Sequence, residues 1–147
     1  MASYADQMFY SRDYSPLTAL TTASLTGTGV AVTVALAPTS AFPAPFRDTY
    51  VNKVQLVVTS AATAGEAVVW NFYAGTSTVA FATIVPGTAA AGSIVQGSVI
   101  NTSGQSPKIT AGIQITGTAT GTATSAGVGA GIGQLAFEFQ EAYNSSD

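Results

Sequence analysis

A chain of 147 residues is the length of one domain, and a globular chain of that size buries about 68–70% of the surface its unfolded form exposes. Cysteine and histidine are both absent, which excludes thiol chemistry, Ser-His and Cys-His pairs, cysteine-based zinc or iron-sulfur sites and the usual general base at neutral pH. Only 7% of residues are charged, against roughly 25% in ordinary soluble domains, and the net charge of -3 includes no basic stripe for nucleic acid or anionic membranes.

The first two dozen residues precede any regular pattern and are rich in aromatics: Tyr4, Phe9, Tyr10 and Tyr14, with Met8 among them. They are read as an arm over 1–23, extended or carrying a short helix from Ala5 to Tyr10 capped by Ser3 and Asp6. Such side chains are enriched in interface cores, so the arm docks on a partner or folds over its own domain. The N-terminus has no cationic region leading into an apolar run, so the chain is expected to be made in the cytoplasm. Arg12-Asp13-Tyr14 and Arg47-Asp48-Thr49-Tyr50 are similar charged clusters that would form either intersubunit ion pairs or solvated loop charges.

From Val30 onward apolar and polar residues alternate in short runs ended by turn residues, the signature of half-buried antiparallel strands. Val30, Val32, Val34 and Leu36 share one face of the first, which Pro38, Pro43 and Pro45 end. In the run 51–60, Val54, Leu56 and Val58 oppose Lys53, Gln55 and Val57; in 67–73, Val68, Trp70 and Phe72 form the apolar face. A hairpin through Ala74-Gly75-Thr76-Ser77 leads to a strand carrying Val79, Phe81 and Val85, and Pro86-Gly87 suits a type II turn. Gly97 interrupts a strand over 93–100 and suggests a bulge. Ile109, Ala111, Ile113 and Ile115 predict a strand, and Leu135, Phe137 and Phe139 the last one. The expected fold is therefore all-β: an antiparallel β-sandwich over 24–143, a jelly roll before an immunoglobulin-like arrangement, followed by a polar tail over 144–147.

Candidate chemistry is sparse. Thr116, Thr118, Thr120, Thr122 and Thr124 form a period-2 ladder before a glycine-rich stretch, read as an edge hairpin rather than an ordered binding array. Trp70 offers a sugar-stacking platform, although its parity with Val68 and Phe72 favours the core. The carboxylates Asp6, Asp13, Asp48, Glu66, Glu138 and Glu141 are scattered, which leaves no glycosidase pair or calcium site. No catalytic, cofactor-binding or metal-binding residue is assigned, and the chain is expected not to be an enzyme. The asparagines of Asn101-Thr102-Ser103 and Asn144-Ser145-Ser146 fit the glycosylation pattern, which without a secretory signal is read as chance.

An aromatic arm from Tyr4 to Tyr14, alternating runs over 51–60 and 67–73, and a closing strand from Leu135 to Glu141, in a chain poor in charge and rich in Ala, Thr, Gly and Ser, resemble bacteriophage capsid decoration, or cement, proteins. The resemblance is one of overall character. It implies a sandwich subunit, often trimeric, that binds the major capsid protein on the outer surface of a virion and reinforces the shell. The partner-binding residues expected from sequence are Tyr4, Met8, Phe9, Tyr10, Arg12, Asp13, Tyr14, Arg47 and Asp48. The alternative is a phage tail, fibre or adhesin module that binds glycans. A cement role predicts a flat apolar base, a glycan-binding role an exposed Trp or Tyr in a groove, and an enzyme convergent carboxylates in a cleft.

Overall fold

The computed structural model describes residues 12–14, 18–22, 31–37, 44–45, 47–60, 68–87, 89–122 and 132–141. They form eleven strands: β1 (Arg12–Tyr14), β2 (Thr18–Thr22), β3 (Ala31–Ala37), β4 (Thr49–Ser60), β5 (Val68–Ala74), β6 (Ala82–Ile84), β7 (Ile94–Gln96), β8 (Ser98–Val99), β9 (Lys108–Ile109), β10 (Ile115–Thr122) and β11 (Ile132–Glu141). Every pairing between them is antiparallel. Among the described residues there is no helix, and so none long and apolar enough to cross a membrane.

The strands make two packed sheets. The first runs β7-β4-β11-β2, with β1 on β11 beside β2 and β9 on β4 beside β7; the second runs β3-β10-β5-β6-β8. Strands β3, β4 and β5 alternate between the sheets, β10 returns beside β5, and β11 goes back to the first sheet, a connectivity compatible with the jelly roll expected from the sequence. Both flanks are sewn together. Leu36 and Ala37 of β3 pair with β2 in the first sheet, while Ala31–Ala35 pair with β10 in the second. On the opposite flank β7 pairs with β4 and β8 with β6. Gly97, the one residue between β7 and β8, donates its N–H to Val54 O at 2.9 Å. The interruption expected at Gly97 is thus a change of sheet, and the closure hides edges that would otherwise template association.

The core lies between the sheets and follows the sequence alternation. Val54, Leu56 and Val58 of β4, Val68, Trp70 and Phe72 of β5, and Leu135 and Phe137 of β11 are all buried, as is Leu36. Phe137 from the first sheet meets Phe72 from the second edge-on, with centroids 5.3 Å apart. Phe81 and Phe139 lie against the same ring at 5.8 and 5.7 Å. Such ring pairs contribute about 0.5–1.5 kcal/mol each beyond their buried area.

Four expectations are corrected. Residues 109–116 are not one strand: β9 ends at Ile109 and β10 begins at Ile115, with a turn between. Local polar groups outcompete the ladder there. Asp48 Oδ1 accepts the N–H of Ala111 at 2.8 Å, Pro45 O accepts that of Gly112 at 2.9 Å, and Gly112 has φ +77°. Ile113 is consequently exposed, whereas Ile109 and Ile115 are buried. Secondly, Val79 and Val85 do not share a core-facing strand with Phe81. Both are exposed, Phe81 and Ala82 are buried side by side, and the strand proper is only Ala82–Ile84. Gly87, directly after Pro86, has the positive φ (+57°) that the turn expected there requires, and Ala89 N donates to Pro86 O at 3.3 Å.

Thirdly, the threonine ladder is not an edge. Strand β10 is paired on both sides, by β3 and β5, and Thr120 hydrogen-bonds Thr33 across it at 2.9 Å; Thr124 lies outside the described residues. Fourthly, the sheet begins inside the segment read as an arm. Arg12–Tyr14 pair with Glu138–Gln140, and Thr18–Thr21 with Leu135–Ile132, so these parts fold on the chain's own sandwich. Tyr4, Met8, Phe9 and Tyr10, and the helix expected over Ala5–Tyr10, lie outside the described residues.

Candidate functional site

On the outer face of the first sheet the β4–β11 register slips between Glu138 and Phe139. Glu138 opposes Lys53, Phe139 opposes Val51, and Asn52 is the extra residue. A bulge of this kind turns two successive side chains away from the core. Val51 and Val54 are buried, while Asn52 is half-buried and Lys53 exposed. Beside the bulge, Gln140 on β11 is the register partner of Tyr50 on β4.

The loop before β9 completes the arrangement. Thr102 and Gln105 exchange both backbone hydrogen bonds at 3.1 Å, and the central residues Ser103 and Gly104 have φ of +54° and +78°. Two positive φ values at the centre of a two-residue hairpin make a type I′ turn. Pro107 O then accepts the N–H of Val51 at 3.0 Å, which holds the loop on β4. The result is an open cleft of about 300 Å³ lined by Tyr50, Asn52, Gln105, Ser106 and Gln140. Ser106 Oγ donates to Asn52 Oδ1 at 3.3 Å, and Asn52 Nδ2 donates to Gln140 Oε1 at 3.0 Å, so the polar groups form one chain.

Charge stands at the margin of this cleft. Lys108, register partner of Tyr50, lies 2.8 Å from Asp48. The Lys108 ammonium and then the Ala111 N–H hold the Asp48 carboxyl below its ordinary value of 3.8. The hydrogen bond to Asp48 raises Lys108 above its ordinary 10.5. Asp48, expected as a partner-binding residue, is therefore engaged within its own chain, and Arg47 beside it is exposed. Glu138, 2% exposed, is in ion-pair contact with Lys53 at 3.3 Å. Among the described residues no carboxylate lines the cleft, and no group of three or more carboxylates can hold a metal ion. Trp70, 0% exposed, is core.

A second feature is apolar. Val79 is 72%, Ile100 41% and Ile113 37% exposed, and all three sit at one end of the sandwich. Gly75, which opens the loop bearing Val79, donates to Gln114 O at 2.8 Å, and Ile100 donates to Phe81 O at 2.8 Å. Neither feature was visible in the sequence. The only advance signs were the break in alternation at Asn52-Lys53 and the turn signal of Asn101–Gly104. No protein-family model, no curated protein and no solved structure matches this chain.

Proposed function

We propose that this protein is a structural, non-enzymatic virion component that decorates a phage capsid from outside and reinforces it. Its partners are the major capsid protein and further copies of itself, with a trimer as the preferred assembly, and its sandwich is taken as a jelly roll. The observation that supports this reading best is the apolar end formed by Val79, Ile100 and Ile113. Exposed branched aliphatic side chains brought together from three loops favour a contact surface over open water. The uncharged second sheet supports it too: in a crowded symmetric shell, contacts rest on shape and apolar area more than on charge.

Co-sedimentation with phage shells assembled from a major capsid protein tests the proposal. The full chain is expected to pellet with shells. A Val79→Asp, Ile113→Asp double variant, altered only at exposed positions, is expected to bind at least tenfold more weakly, because a fully buried aliphatic side chain contributes on the order of 2 kcal/mol. Undiminished binding by the variant would discard the apolar end as the contact. A full chain that ignores shells yet is retained by a glycan column would replace the cement reading with the adhesin one.

A further inference from the structure

We infer that the cleft between the β4 bulge and the 102–107 loop is a binding site for a single neutral sugar ring, a function separate from capsid attachment. The described residues that line it are all uncharged: Tyr50, Asn52, Gln105, Ser106 and Gln140. An anion site needs cations or converging N–H groups and a cation site needs carboxylates. Of the charged residues at its margin, Asp48 and Lys108 neutralise each other at 2.8 Å; Arg12 of β1 is the register partner of Gln140, and titration with phosphate reads whether it draws an anion to the cleft. Side-chain amides and a hydroxyl, by contrast, offer donors and acceptors side by side, as the vicinal hydroxyls of a sugar do.

The site is also built in advance. The Ser106–Asn52–Gln140 chain orients both amides. The Asn52–Gln140 bond uses one of the two Asn52 amide hydrogens, and Ser106 gives its single hydrogen to Asn52. The Gln140 amino group, the second Asn52 N–H and the lone pairs of Ser106 remain for a ligand. Tyr50 provides an aromatic wall for the C–H face of a ring. The loop that carries Gln105 and Ser106 is fixed by the type I′ turn and by Pro107 on Val51, so little ordering entropy is spent on binding. A volume of about 300 Å³ lies at the small end of ligand sites and fits one ring rather than a chain of them.

The test is a nitrogen-15 NMR titration of the full chain with glucose, galactose, mannose and N-acetylglucosamine in turn, with inorganic phosphate as the charged control. At least one sugar is expected to shift the side-chain amide signals of Asn52, Gln105 and Gln140. The shifts should saturate at roughly millimolar concentration, the range open to a ligand of about a dozen heavy atoms. Phosphate should shift none of them. Ser106→Ala combined with Gln105→Ala, on the loop, should weaken the response at least fivefold while the β4 and β11 backbone signals stay in place. Linear shifts without saturation, no response to any of the sugars, or a response unchanged in the double variant would each overturn the site. A phosphate response at the same signals would overturn its neutral specificity. Failure here leaves shell binding untouched, because the cleft and the apolar end share no residue.

Discussion

At Gly97 the absence of a side chain is what lets the backbone leave one sheet for the other. A Cβ there would collide with Thr83 O and with the side chains of Ile84 and Val54, two of which belong to the core. Gly97→Ala is expected to cost about 2–3 kcal/mol in urea unfolding, the upper range for overpacking; a loss under about 1 kcal/mol would show that the corner can relax. The Asp48–Lys108 pair sets a pH window instead. Asp48 is depressed in the folded state, so its contribution is present above 3.8 and is lost as pH falls through the folded value. Lys108 is raised, so its contribution is present below 10.5 and is lost as pH rises through the folded value. Both groups are open to solvent, which keeps the effect small. The stability difference between the native chain and Asp48→Asn should be constant near neutrality and shrink in acid. A difference that grew on acidification would contradict the assignment.

Elements were legible where one face meets core and the other water. Strands β4 and β5 alternate because the pleat puts successive side chains on opposite faces, and their parity alone placed Trp70 inside. Periodicity failed where a polar side chain from far along the chain intervenes, as Asp48 does at Ala111: the alternation of Ile109 to Ile115 survives across a turn and mimics a strand. Strands β1 and β2 were missed because Arg12-Asp13-Tyr14 and Thr18-Ala19-Leu20-Thr21-Thr22 owe their conformation to β11 rather than to alternation. The cleft was illegible because its residues meet only once β4, β11 and the loop are assembled. The pairing of β1 has an experimental consequence. Removing residues 1–11 should leave thermal stability nearly unchanged if the aromatic arm serves a partner, whereas removing 1–14 should lower it further by stripping the ladder from Glu138–Gln140. Equal melting temperatures for the two truncations would mean that β1 adds nothing.

For the whole molecule, charge is divided between the sheets. Every charged residue among the described ones lies on β1, β4, β9, β11 or the 47–48 segment that enters β4. The second sheet carries none. On its outer face Ala35, Thr118, Asn71, Thr83 and Ser98 line up in register across β3, β10, β5, β6 and β8. An assembly held by this face or by the apolar end has no ion pairs to screen, so salt should not dissolve it. An assembly held by Arg47 or its neighbours should weaken as the screening length falls from about 10 Å at 0.1 M to about 3 Å at 1 M. Sedimentation equilibrium across that salt range separates the two. The expected result is an oligomer, with a trimer preferred, whose dissociation constant changes less than about threefold between the extremes. Salt-driven dissociation would move the contact to the charged sheet, and a monomer at tens of micromolar under all conditions would remove self-association from the proposal. Val79→Asp should weaken the salt-insensitive oligomer if the apolar end is shared between copies. If only shell binding falls, that end belongs to the capsid, and the copies meet through the uncharged sheet.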